Sequence, residues 1–132
     1  MKKNRVTIYT ASKPTHAPKW RKLRHDGLAI IATWIDYADD DAVVDWQKLW
    51  LSCVEEPARA NITLLYIEEE ETLRGAYVEM GVALANNRRV FIVNPHKVRV
   101  TDASHHPLVT CFTSLEVAVE AIKLLSKHDP FA

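Results

Sequence analysis

Glycine is scarce in this chain, three residues in 132. Phosphate-cradling loops of the G-x-G-x-x-G and G-x-x-x-x-G-K-[ST] types need glycines close together so that the backbone can approach the ligand, and neither pattern occurs. Dinucleotide-dependent redox chemistry and P-loop phosphoryl transfer are therefore not expected, and no cofactor is implied. Cysteine is equally sparse: Cys53 and Cys111 stand far apart, with no C-x-x-C spacing and too few thiols for a disulfide scaffold. Excess charge is absent too, with 17 basic against 17 acidic residues. Such a balance argues against a nucleic-acid partner bound through phosphate neutralisation, and it leaves little bulk charge to keep copies of the chain apart. No apolar run approaches the ~18 residues needed to span a bilayer. The basic start, Met1 to Arg5, leads into a strand too short for a signal-peptide core. A cytoplasmic protein without a membrane partner is the expectation.

The residues that are present alternate between strand and helix patterns. Arg5–Thr10 is rich in β-branched residues and predicts a first strand. Ala11–Pro18 is a proline-bearing loop, and Lys19–Asp26 a short basic helix closed by Gly27. Leu28–Ile35 is a nearly continuous apolar run, which predicts a second strand covered on both faces. After the acidic loop Asp36–Asp41, the apolar positions Val43, Val44, Trp46, Leu49, Trp50, Cys53 and Val54 have a helical period, with Pro57 set to bend or end that helix near Glu56. Asn61–Ile67 is a third strand, Glu68–Arg74 a polar loop, Gly75–Asn87 a compact apolar helix and Arg89–Val93 a fourth strand. A longer loop, His96–Pro107, precedes a short strand at Leu108–Phe112. Thr113 and Glu116 then have the spacing of a capping box opening a last helix, with Leu115, Val119, Ile122 and Leu125 facing inward.

Five alternations in a chain of this length predict one α/β domain, residues 1–132, with a five-stranded parallel sheet between two helical layers. Right-handed crossovers favour a doubly wound, flavodoxin-like order, 2-1-3-4-5. Ligands of such sheets bind at the carboxyl ends of the strands where the order reverses. That crevice is bordered by Tyr9–Pro14, by Glu68–Gly75 and by the start of the following helix.

One residue facing this crevice is chemically out of place. Between Arg74 and Arg88 the sequence is GAYVEMGVALANN, and its only charged residue is Glu79. Apolar stripes flank it on both sides, and burying a carboxylate in such surroundings is costly unless its charge is relieved. The helix N-terminus favours a negative charge by at most about 1 kcal/mol, too little to account for it. Gly75 and Ala83 lie one turn either side and leave room for a ligand to approach. On helix statistics alone, an exposed Glu79, or one paired with Arg74 or Arg88, accounts for the residue equally well.

With these residues in view, the chain resembles the nucleoside 2-deoxyribosyltransferases and related nucleotide N-glycosidases. The matching stretch is LLYIEEEETLRGAYVEMGVALANNRRVFIVNP, Leu64 to Pro95, with its G-x-x-x-E-x-G-x-A-L-A core, together with IYTAS, Ile8 to Ser12. The resemblance implies cleavage or transfer of the N-glycosidic bond of a 2′-deoxyribonucleoside or its 5′-monophosphate, through a covalent deoxyribosyl ester on Glu79. It implies that Tyr9 hydrogen-bonds Glu79 and holds it in line, and that Glu70 or Glu71 protonates the leaving base or binds sugar hydroxyls. It also implies self-association, as a dimer or larger, to which the apolar surface of the Trp46–Trp50 helix is suited. Candidate substrate-binding residues are Ser12, Lys13 (toward a 5′-phosphate), Trp34 (stacking on a base, or else packed in the core or an interface) and Gly75.

Two positions depart from the family pattern. Leu51-Ser52-Cys53-Val54 stands where the family has an aspartate, and Asn61 where it also has one. The first departure supports an alternative reading, a non-catalytic nucleotide-binding or sensing module on the same fold. The remaining features are read structurally. His96, His105 and His106 have no metal-ligand spacing, His16 and His25 are read as solvated, and Cys53 as a core residue.

Overall fold

The computed structural model describes residues 5–38, 45–100 and 102–128. The elements in chain order are β1 (Ile8–Ala11), α1 (Ala17–His25), α2 (Trp46–Arg59), β2 (Ile62–Tyr66), α3 (Gly75–Ala85), β3 (Arg89–Val93), β4 (Val109–Phe112) and α4 (Leu115–His128). The four strands form one parallel sheet in the order β1-β2-β3-β4. All of β1 and β2 and nearly all of β3 are buried, as parallel strands covered by helices on both faces must be.

Side-chain alternation assigns the layers. Tyr9 reaches α3 from one face of the sheet, and α2 packs against α3 there. Tyr66 projects from the other face and meets Trp20 of α1 edge-on, at 5.9 Å between ring centroids. The core is aliphatic around Ile8, Ile62, Leu64, Leu65, Val90 and Ile92, with Trp20 and Tyr9 fully enclosed.

The expected second strand does not form, so the sheet has four strands rather than five. Leu28–Ile35 contributes a single parallel bridge, Ile30 to Ile8, on the edge of β1 away from β2. The Ile8 amide donates to the Ala29 carbonyl and the Ile31 amide to the Ile8 carbonyl. The chain then turns into a 3-10 turn at Trp34–Asp36. The reason is local. Ile30 hydrogen-bonds back to Leu28, and the Thr33 amide and hydroxyl are both held by the buried Glu56 carboxylate, at 3.0 and 2.8 Å. A residue committed to that carboxylate cannot extend a ladder.

Helix limits also shift. A 3-10 turn, Pro14–His16, leads directly into α1, so the expected loop is shorter. Gly27 takes φ 113° just after α1, the left-handed conformation for which glycine is suited. α2 starts at Trp46 with Asp45 as its cap, Oδ1 accepting from the Lys48 amide at 3.1 Å. Its expected start, Ala42–Val44, lies outside the described residues. Pro57 does not end α2, which continues to Arg59. At α4 the hydroxyl nearest the opening amides is that of Ser114, accepting from the Val117 amide, rather than that of Thr113. Of the four inward positions expected of α4, Val119 and Ile122 are buried, and Leu115 and Leu125 are half-buried against the core.

Candidate active site

Tyr9 lies in the middle of β1, fully buried, and its side chain points toward α3. Glu79 lies in the second turn of α3, with only 8% of its surface exposed. The Tyr9 hydroxyl donates to Glu79 Oε2, joining first strand and third helix across 70 positions of sequence. Neither Arg74 nor Arg88 reaches this carboxylate in the structure. Arg88 is spent on the Ala58 carbonyl at 3.2 Å, and Arg74 is exposed at the head of α3. Glu79 is therefore a buried carboxyl bonded by a phenol, and among the described residues no cation pairs with it. Desolvation pushes its pKa up to about 8.

At the carboxyl ends of β1 and β2, polar links join the loop after β1 to the loop after β2. His16 Nε2 lies 2.9 Å from Glu71 Oε2, and the other Glu71 oxygen accepts from the Glu68 amide at 2.8 Å. Tyr66, the last residue of β2, donates to Glu68 at 2.5 Å and accepts from Lys19 at 3.1 Å. The Tyr66 hydroxyl, foremost among its partners, holds the Glu68 carboxyl below its usual range, while burial pushes the phenol itself up. His16 also meets the Tyr66 ring edge-on at 5.0 Å. The reading of His16 as solvated is thus corrected: its side chain is enclosed between α1 and the acidic loop, whereas His25 is exposed. The sequence signal was present, since His16 directly precedes a basic helix and Glu71 lies in a run of glutamates. Their meeting depends on the parallel pairing of β1 with β2.

The two acidic-loop candidates are in unlike settings. Glu71 is half-buried and held by two partners. Glu70 is exposed and takes φ 65° in the turn that the Glu68 carbonyl and Glu71 amide close at 3.2 Å. Ser12 follows β1 directly, and its hydroxyl accepts from the Trp20 indole at 2.8 Å while donating to the Lys13 carbonyl at 3.0 Å. Lys13 is half-exposed at the head of the 3-10 turn. The Trp34 indole donates to the Thr10 carbonyl at 2.8 Å, which pins a half-exposed ring against the end of β1. Gly75 is the first residue of α3, and a Cβ added there would meet nothing within 4 Å, so open space faces it.

The positions that depart from the family pattern are now located. Asn61 lies just before the amino end of β2, at the other end of the strand from the acidic loop. There its side-chain oxygen accepts from the Thr7 amide and hydroxyl at 2.8 and 3.0 Å and fastens β1 to β2. Ser52 and Cys53 are half-buried in α2, and burial pushes the Cys53 thiol up. Sequence reading missed Glu56, a carboxylate buried in α2 whose two oxygens both serve Thr33. Among the described residues no His, Cys, Asp and Glu side chains gather as a metal site, and no helix is long and apolar enough to cross a membrane.

No protein-family model matches the chain, and no curated protein matches it in sequence. Among solved structures it is similar to the CMP N-glycosidase BcmB of Clostridium botulinum, with a TM-score of 0.58 and 11% identity over 89% of this chain and 98% of that one. At that identity the likeness is one of fold: the α/β frame that brings Tyr9 to Glu79 is shared with an enzyme that acts on a nucleotide's N-glycosidic bond.

Proposed function

We propose that this protein cleaves or transfers the N-glycosidic bond of a 2′-deoxyribonucleoside or its 5′-monophosphate, with Glu79 as nucleophile. The observation that carries the reading is the buried Tyr9–Glu79 pair, a carboxyl of α3 bonded by a phenol of β1. As the bond to the base lengthens, positive charge grows on the sugar. A desolvated carboxylate opposes that charge more strongly than a hydrated one, and it then captures the anomeric carbon as an ester. The same charge lowers the proton affinity of Glu79, whose free-state pKa of about 8 would otherwise keep it neutral. Tyr9 donates to the anion and holds it in line. Glu71, ordered by His16, suits the role of acid toward the departing base better than the exposed Glu70. Lys13 and Trp34 are available to a 5′-phosphate and to the base.

The decisive experiment is incubation with a panel of deoxynucleosides and their monophosphates, with and without an acceptor base. Release of free base without acceptor identifies hydrolysis, and release only with acceptor identifies transfer. Glu79→Gln is expected to remove either activity, and retained turnover in that variant ends the proposal. With Glu79 ionising near 8, kcat/KM is expected to rise with pH up to that value.

The raised pKa also favours a second reading. A neutral carboxyl at physiological pH is a hydrogen-bonding group rather than a nucleophile, which suits a nucleotide-binding or sensing module. Nucleotide binding that survives Glu79→Ala, with no turnover of any N-glycoside, is the outcome that selects it.

A further inference from the structure

Cleavage of an N-glycosidic bond asks for two acidic groups in opposite charge states. The one that meets the sugar must be ionised, and the one that serves the departing base must bring a proton. That pairing is demanding here, because burial holds the pKa of Glu79 up at about 8. In model peptides a carboxyl titrates at about 4.3 and an imidazole at about 6.5, so at such a pH an imidazole keeps far more of its protons than a carboxyl does.

Glu71 is bound in the manner of an anion. One of its oxygens accepts from the Glu68 amide at 2.8 Å, and the other lies 2.9 Å from His16 Nε2. An amide N–H only donates, so the first contact favours the ionised carboxyl. The side chains of His16 and Glu71 are 10% and 17% exposed, which shields the link between them from water. The imidazole stands edge-on to the Tyr66 ring, and the Lys19 ammonium lies 4.3 Å from the centroid of that ring and 3.5 Å from Glu68. Glu68 and Glu71 are thus the anions gathered about the imidazole among the described residues, and Lys19 is the cation. A proton on Nε2 makes this cluster neutral.

The two carboxyls also stand on opposite sides of the strand ends. Tyr9 takes Glu79 on the α3 side of the sheet, while His16 lies with Tyr66 on the α1 side. A nucleophile and an acid flank a glycosidic bond in the same manner.

We propose that His16 is a positioning residue for this reaction, storing the proton that Glu71 passes to the departing base. The inference rests on the N-glycosidase reading. As the bond from the anomeric carbon to the base nitrogen breaks, its electron pair stays with the base. The proton moves from His16 Nε2 to Glu71 Oε2 and on to the base, leaving a neutral imidazole and an ionised Glu71. Glu79 meanwhile takes the anomeric carbon as an ester. When water or an acceptor base removes the sugar, the ester's electron pair returns to Glu79, and the proton that the incoming group sheds travels back to His16.

The test compares leaving groups on the full chain. Two deoxynucleosides of the base that the wild type releases are used. One is the ordinary compound, and the other has a base that leaves without a proton, N7-methylated for a purine or 5-halogenated for a pyrimidine. His16→Gln keeps a side-chain donor near Glu71 but cannot store a proton. It should slow the ordinary substrate about 100-fold, matching the ~2 pKa units between imidazole and carboxyl, and the better leaving group by less than about 5-fold. Glu71→Gln should show the same selectivity, and the double variant should be no slower than Glu71→Gln alone. His25→Gln, exposed at the end of α1, should match the wild type on both substrates. Equal losses on both substrates in His16→Gln and Glu71→Gln, or losses that multiply in the double variant, overturn the inference. The N-glycosidase reading survives that result so long as the wild type turns over and Glu79→Gln does not. A wild type that turns over no deoxynucleoside ends that reading, and the inference with it.

Discussion

Glu79 and Tyr9 depend on one another. A carboxyl with so little exposure, and no cation paired with it among the described residues, loses most of its hydration on folding, and the Tyr9 hydroxyl is its bonded partner. Tyr9→Phe keeps the ring and removes that donor, so the anion becomes still harder to form. Under the proposed mechanism turnover is expected to fall on the order of 100-fold, with the acid limb of the pH profile moved upward. Two other buried groups have the opposite standing. The Thr10 and Thr63 hydroxyls are enclosed without a partner, Thr63 directly across from Tyr9 in the pairing of β1 with β2. Replacing an unsatisfied hydroxyl by a methyl group of similar shape removes a desolvation cost. Thr63→Val should therefore be neutral or stabilising by up to about 1 kcal/mol in denaturant unfolding. A loss beyond that range would mean that the hydroxyl has a partner after all.

The elements owe their limits to a few side chains, and not all of them were legible. Gly27 marked the end of α1, and the apolar period marked α3 and α4, because these signals act within a turn or two of the chain. α2 starts at Asp45, whose carboxylate covers an amide that the helix itself leaves open. Asp45→Ala should cost about 1 kcal/mol of stability, read as a lower midpoint in urea with an unchanged slope. The second strand was misread because continuous hydrophobicity reports burial and not extension. Within Leu28–Ile35 only Ile30, Ala32 and Ile35 are buried, and Glu56, twenty-three positions past Thr33, takes the Thr33 amide where the segment bends into a turn. Nothing within the apolar run itself signals a contact of that range.

At the scale of the whole molecule the titrating groups set how stability varies with pH. The pKa of Glu79 is raised on folding from 4.5 to about 8, so the native state binds the extra proton between those values. Stability is therefore fullest below pH 4.5 and falls as pH rises toward 8, with a slope of up to about 1.4 kcal/mol per pH unit from this group. Glu79→Gln should flatten that decline in thermal melts across pH 5–8, and a variant with an unaltered slope would show that Glu79 does not titrate in this range. Asp36 and Glu68 act in the other sense. The Arg24 guanidinium holds the Asp36 carboxyl low, the Tyr66 hydroxyl holds that of Glu68 low, and the stability they add is lost as pH falls through the carboxylate range. A stability maximum on the acidic side of neutrality follows.

Tyr9 was suggested through the resemblance alone; by itself the sequence determined the α/β alternation and the placing of one lone charge, Glu79, in an apolar helix. Those features are written in composition and short-range period, which need no knowledge of what packs where. Whether Glu79 faced water, an arginine or a phenol was open until β1, β2 and α3 were set side by side. So were the enclosure of His16 against Glu71, the turn of Thr33 toward Glu56 and the exposure of Trp46 and Trp50. Each of these is a contact between residues distant in the chain, and only the packed sheet with its helices brings such residues within reach.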